Sequence, residues 1–100
     1  MVGIDITSID RFENKDENFA KKILSNNEFL DWEKEDAKEL FLATRWAIKE
    51  AIFKSDNQFS NFSDINISKK QNRYVFQNFE ISTSKENNFV IAIAIKKKDV

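Results

Sequence analysis

The run from Glu39 to Lys54, ELFLATRWAIKEAIFK, most constrains what this chain can fold into. No Gly or Pro interrupts it, and helix formers fill most of its positions, so it reads as one long helix. At 3.6 residues per turn, Leu40, Ala43, Ala47 and Ala51 fall on one side, with Trp46 and Phe53 beside them. Arg45 and Lys49 stack one turn apart on another side. Glu50 lies between Trp46, Ala47, Phe53 and Lys54 at helical spacing, on the edge of the apolar stripe. A carboxylate there is partly desolvated and needs a cation or a hydrogen-bond donor. Lys54, one turn on, could supply an ion pair; a metal ion is the alternative.

A long helix in a chain of 100 residues sets the scale: one domain, 1–100, with a modest core that self-association would enlarge. Aromatic residues make up 13% of the chain, which argues for a packed interior. The formal net charge of −1 gives no overall field for nucleic acid, so a charged partner has to be met by a local patch. With no Cys and no His, disulfides, thiolate catalysis, Cys-type zinc sites and an imidazole base are all excluded. Chemistry here falls to carboxylates, lysines, backbone or a hard cation. The first residues lack the basic and apolar regions of a signal peptide, and no apolar run approaches membrane-spanning length. A cytoplasmic protein with no membrane contact is the expectation.

Around the helix the chain divides into short elements. Val2 to Ile9 alternates, with Val2, Ile4 and Ile6 on one face and Gly3, Asp5 and Thr7 on the other. This predicts a strand whose apolar face points inward. Ile9 to Phe12 reads as a helical turn. Phe19, Ile23 and Leu24 have helical spacing, and Ser25 or Asn26 can cap a second short helix with Glu28 early and Phe29, Leu30 and Trp32 as its apolar face. After a polar loop over Ser55 to Asn61, the pattern predicts a short strand at Phe62–Ile67, a polar turn at Ser68–Asn72, a strand at Arg73–Ile81 and a polar segment at Ser82–Asn88. Phe89 to Ile95, FVIAIAI, is the strongest strand. Its bulky face (Phe89, Ile91, Ile93, Ile95) and its small face (Val90, Ala92, Ala94) are both apolar, so both call for cover. One can take the long helix; the other suits a subunit interface. The sum is an α+β domain with an antiparallel sheet packed on one long helix.

Asp5 and Glu50 are two carboxylates on rigid elements that could converge. A pair of this kind suits Mg²⁺, which takes one or two protein carboxylates and fills its octahedron with water and phosphate oxygens. Arg45, Lys49 and Lys54 on the same helix could meet other phosphate oxygens. Two acids and three bases are common in any small domain, so their order in the chain has to carry the specificity.

That order is distinctive. Gly3-Ile4-Asp5 opens the chain, and R-x-A-x-K-E-A follows at Arg45 to Ala51, with a lysine at Lys54. Phe19 to Leu24 is FAKKIL, Phe62 to Ile67 is FSDINI, and Ile81 to Ile95 is ISTSKENNFVIAIAI. Over nearly the whole length, this succession resembles the holo-(acyl-carrier-protein) synthases, the small-type 4′-phosphopantetheinyl transferases. The resemblance implies that family's fold and its reaction: transfer of the 4′-phosphopantetheine arm of coenzyme A to a serine of apo acyl carrier protein, with release of 3′,5′-ADP, a step serving fatty acid biosynthesis. It implies Mg²⁺ held by Asp5 and Glu50, with Lys54 beside the diphosphate, so that Asp5, Glu50 and Lys54 form the catalytic group. It implies Arg45 and Lys49 near the phosphates of coenzyme A, and Arg11, Lys21 and Lys22 docking the acidic helix of the carrier. A homotrimer with active sites between subunits is also implied.

Three features depart from the family pattern. In its S-[IV]-[ST]-H signature Ser82 matches the serine, but Lys85 stands at the histidine position. A lysine can meet phosphate as a cation but cannot replace a neutral imidazole base. A divalent cation can lower the pKa of a bound water, so the histidine is not strictly required. The glycine-rich loop after the main helix is absent, and the following turn shrinks to Lys69–Arg73. The alternative is a family member that binds coenzyme A or acyl carrier protein without efficient transfer.

Overall fold

A computed structural model describes residues 1–98. The elements are strand β1 (Val2–Ser8), a 3-10 turn (Ile9–Phe12), helices α1 (Glu17–Ile23), α2 (Asn26–Glu33) and α3 (Lys38–Ser55), a second 3-10 turn (Phe62–Asp64), and strands β2 (Ser68–Lys70), β3 (Arg73–Val75), β4 (Phe79–Glu86) and β5 (Phe89–Lys96). β1, β5 and β4 form an antiparallel sheet in that order, and β2 pairs with β3 in a small separate hairpin. The α+β expectation holds: one sheet lies on one long helix.

Small residues bring helix and sheet together. Ala43, Ala47 and Ala51 of α3 and Ala92 and Ala94 of β5 have no exposed surface, and Leu42, Ile48 and Ile52 fill the flanks. Gly3 completes the contact. A Cβ on Gly3 would lie 1.8 Å from the Ala51 carbonyl oxygen, so only glycine lets β1 cross α3 this closely. The end of α3 is tied down by Ser55 Oγ, which donates to the Met1 carbonyl at 3.0 Å, and by an ion pair between Asp56 and Lys96 of β5.

The inward face of β1 reverses the expectation. Val2, Ile4 and Ile6 point outward, each 59% exposed, while Gly3 and Thr7 are buried. At Gly3 the close approach to Ala51 leaves no room for any side chain on the helix side, so the alternation is turned by steric fit at that position rather than by hydrophobicity. In register the outer residues pair Val2 with Ile95, Ile4 with Ile93 and Ile6 with Ile91. Phe89, Ile91 and Ile95 are also exposed, so the β1 and β5 part of this side of the sheet is apolar and open, while β4 adds Glu80, Ser82, Ser84 and Glu86 beside it.

Helix α2 starts as its capping residues predict. Ser25 Oγ accepts from the Glu28 amide and Glu28 Oε1 accepts from the Ser25 amide, a full capping box. The C-terminal half differs from its pattern. Phe62–Ile67 forms a 3-10 turn and an irregular segment instead of a strand, with Ile65 and Ile67 buried as anchors. The strand begins at Ser68, inside the expected turn, and the bend is made by Gln71 and Asn72 with φ of 50° and 63°. Two left-handed residues in succession close a tight hairpin without glycine. The expected strand at Arg73–Ile81 is two strands, broken where Gln77 takes φ 42°. The polar segment at Ser82–Asn88 is mostly the second half of β4, its hydroxyls and charges lying on an edge strand that water can reach on one side.

Candidate functional site

Two ionic clusters sit on α3, about one turn apart in sequence, and they differ in kind. The first lies toward the helix start. Lys49, expected beside phosphate, is fully buried instead. Its ammonium donates to Glu28 Oε1 at 2.5 Å, the Ile23 carbonyl at 2.7 Å and the Phe62 carbonyl at 2.9 Å. All three N–H groups are therefore engaged, and none is left for a ligand. Burial pushes the Lys49 pKa down from its ordinary value, while the Glu28 carboxylate opposes that shift. Arg45 Nε donates to Glu28 Oε2 at 2.8 Å. Sequence reasoning assigned Glu28 only to the start of α2. The buried acid is the counter-ion for both bases.

Arg45 also reaches outward. Its guanidinium lies 4.4 Å from the Phe41 ring centroid and 5.1 Å from that of Tyr74. Both aromatics and Arg45 line a groove of about 550 Å³ with Lys34, Lys69 and Lys85 on its walls. Asp31 and Glu35 line it too, so the cations outnumber the acids. Lys85 thus sits where an anionic ligand could meet it. Ser82, three positions earlier, does not line the groove. An odd spacing on a strand puts the two side chains on opposite faces, and Ser82 joins the outer face opposite Ile93.

The second cluster lies toward the helix end. Asp5 is in the middle of β1, opposite Ala92, whose small side chain leaves the carboxylate space on the helix side. Lys54 Nζ donates to Asp5 Oδ1 and to the Ile4 carbonyl, both at 3.1 Å. The other oxygen, Asp5 Oδ2, is buried and has no hydrogen-bond partner. Glu50 faces the same space. Its pKa is raised, first by burial and then by the negative charge of Asp5, against the opposing pull of Lys54 and Arg11. The structure brings Asp5, Glu50 and Lys54 together.

Two acids that repel each other, one with a bare buried carboxylate oxygen, leave room for a cation beside Lys54 and Arg11. The donors are hard oxygens, which fit a hard divalent cation that keeps most of its shell for water and phosphate. Among the described residues no group of three or more His, Cys, Asp or Glu could hold a metal ion. A cation at Asp5 and Glu50 would therefore take its remaining ligands from outside the side-chain carboxylates.

Arg11 lies near this cluster. It donates to Thr7 Oγ1 at 3.0 Å and leans on Phe12 and Trp46. With Lys15 and Lys22 it rims an aromatic-floored groove of about 420 Å³. Lys21, expected to act with Arg11 and Lys22, turns to another groove and rests 5.1 Å from the Phe29 ring centroid. Consecutive residues of a helix point about 100° apart, so Lys21 and Lys22 cannot serve one surface equally. Lys15, rather than Lys21, shares the groove rim with Arg11 and Lys22. It stands in a polar loop without periodicity, and no signal in the sequence singled it out.

Comparison with known proteins follows the same outline. Residues 1–94 match the model of the 4′-phosphopantetheinyl transferase superfamily. A holo-[acyl-carrier-protein] synthase of Mycoplasma mobile is 58% identical over 98 residues, covering 98% of this chain and 90% of that protein. The crystal structure of a holo-(acyl-carrier-protein) synthase from Bacillus anthracis in complex with CoA (3′,5′-ADP) superposes with a TM-score of 0.78 at 26% identity, covering 93% of this chain and 91% of that one. The Helicobacter pylori synthase in complex with coenzyme A gives a TM-score of 0.77 at 25% identity, covering 97% and 100%.

Proposed function

The chain belongs to the 4′-phosphopantetheinyl transferase superfamily, and from that membership we infer the work done by its open carboxylate pair. It transfers the 4′-phosphopantetheine arm of coenzyme A to a serine of apo acyl carrier protein, leaving 3′,5′-ADP. The observation that carries the site assignment is the bare Asp5 Oδ2 facing Glu50 beside Lys54. Asp5 and Glu50 are proposed to hold Mg²⁺, which when bound would neutralise charge on the diphosphate as it is cleaved. Lys54 is half-exposed and holds Asp5 through a single contact, so it can follow the diphosphate without losing its place. Such preorganised positive charge is what phosphoryl-type transfer asks of a protein.

The two grooves divide the substrates. The nucleotide end of coenzyme A is assigned to the groove of Arg45, Phe41, Tyr74, Lys69 and Lys85, where an aromatic wall meets several cations. The acidic surface of the carrier is assigned to Arg11, Lys15 and Lys22. Lys49, closed on Glu28, has no ligand role in this reading, and Lys21 sits outside the carrier surface. The exposed Val2, Ile4, Ile6, Phe89, Ile91 and Ile95 favour self-association, since a contiguous apolar sheet face is rarely left to water. A homotrimer with shared active sites is the form we propose, with Ser82 at or beside the contact. Among the described residues no helix is long and apolar enough to cross a membrane, and a cytoplasmic location is part of the proposal.

The test is intact-protein mass spectrometry of apo acyl carrier protein incubated with this chain and coenzyme A, with added Mg²⁺ or with a chelator. One phosphopantetheine arm gained only with Mg²⁺ is the expected result. Equal transfer in chelator would remove the metal from the reading. Bound coenzyme A with no transfer would favour a binding protein, the reading that Lys85 at the histidine position keeps in view.

A further inference from the structure

Glu28 is fully buried, yet its two oxygens do three different things. Oε1 closes the capping box of α2 on the Ser25 amide and receives Lys49; Oε2 receives only Arg45 Nε, at 2.8 Å. No described residue accepts a hydrogen bond from either terminal nitrogen of Arg45, and neither nitrogen is among the walled-in atoms without a partner. Arg45 nevertheless lines the open groove, pressed against Phe41 and Tyr74. The guanidinium is held at Nε by Glu28 and lies against two rings, which leaves its terminal N–H fork free to meet a ligand in the groove that also carries Lys69 and Lys85.

We propose that Glu28 is a positioning residue for the transfer reaction: it clamps Arg45 so that the terminal nitrogens present a bidentate fork to a phosphate of coenzyme A. The proposal rests on the assignment of this groove to the nucleotide end of that substrate. It gives the buried acid a task that neither the helix cap nor the Lys49 ion pair would require. Anchoring also saves the ordering cost that a free arginine would meet on binding.

The variant Glu28→Gln tests it. With the amide oxygen kept on Ser25 and Lys49, the NH₂ group faces Arg45 Nε, donor against donor, and the clamp is lost. In steady-state assays of the full chain with Mg²⁺, KM for coenzyme A should rise about tenfold, while kcat and KM for the carrier stay within about twofold. Arg45→Ala should raise KM for coenzyme A at least as much, and the double variant should match Arg45→Ala alone. If Arg45→Ala raises KM for coenzyme A and Glu28→Gln does not, the positioning role is overturned and the groove assignment stands. If Arg45→Ala leaves KM unchanged, the groove assignment falls and the proposal falls with it. Should Glu28→Gln fail to fold, Arg45→Lys decides instead. It keeps the charge but loses the clamped fork, and an unchanged KM for coenzyme A would overturn the proposal.

Discussion

Lys49 and Lys54 lie five residues apart on one helix and have opposite fates. Lys49 is enclosed, with three acceptors and a buried carboxylate. Lys54 is half open, with a carbonyl and a carboxylate whose second oxygen has no partner. The closed cluster engages all three N–H groups of Lys49, and its product is structure: it joins α1, α2, α3 and the Phe62 turn at one ammonium. The open cluster leaves a buried carboxylate oxygen without a partner, and the proposed role of that gap is to take a cation and an anionic substrate. A polar group therefore reveals its role less by its type than by what remains unsatisfied around it.

The sharpest way to break this contrast is to neutralise the open cluster. Asp5→Asn and Glu50→Gln should each slow transfer by about a hundredfold or more, several kcal/mol of transition-state stabilisation, with the fold intact by circular dichroism. Retention of full activity in either variant would end the metal assignment. The closed cluster should answer in stability instead. Lys49→Met leaves Glu28 half-paired and two carbonyls bare, at about 3–5 kcal/mol in urea unfolding. The matching change, Lys54→Met, should cost under about 1 kcal/mol of stability because its ion pair is solvent-screened. It should nonetheless lower the transfer rate by roughly tenfold. If the stability losses were equal, the division into closed and open clusters would fail. On the outer sheet face, Ile91→Glu should shift the sedimentation profile toward monomer without unfolding the chain, since Ile91 is 40% exposed.

The sequence and the structure agree where periodicity is strong and diverge where geometry decides. The long helix, the FVIAIAI strand and the Ser25 cap all have local causes, so their residues announce them. The direction of β1 does not. Alternation sorts Val2, Ile4 and Ile6 from Gly3, Asp5 and Thr7, but the inward set is chosen by the Ala51 carbonyl against Gly3, a contact 48 positions away in sequence. The hairpins were blurred because Gln71, Asn72 and Gln77 take left-handed conformations usually given to glycine. At the site, Asp5, Glu50 and Lys54 stand close together in the structure, and in the sequence only the order of motifs behind the family resemblance singles them out, since such residues are common in any small domain. Lys49 departs from the expectation because its partner, Glu28, belongs to another helix. Nothing in the spacing Arg45–Lys49 says whether a carboxylate or a phosphate waits opposite.

The smallest expected effect probes the open cluster without any substrate. The Glu50 carboxyl has a raised pKa, mainly through burial and then through Asp5. In the window between its ordinary and its raised value the folded chain holds more protons than the unfolded one, so stability falls as pH rises through that window. Above it the full penalty of the buried charge remains. Glu50→Gln removes the penalty. In chelator at neutral pH the variant should therefore be the more stable protein, and the difference should vanish as pH falls below the ordinary glutamate range. Added Mg²⁺ should then stabilise the native chain and leave Glu50→Gln nearly unmoved, because ligand binding raises stability only where the folded state binds. Urea titrations across pH, with chelator and with Mg²⁺, read both. A variant less stable than the native chain in chelator would mean that Glu50 is already compensated within the protein, and the charge deficit that argues for a cation would not exist.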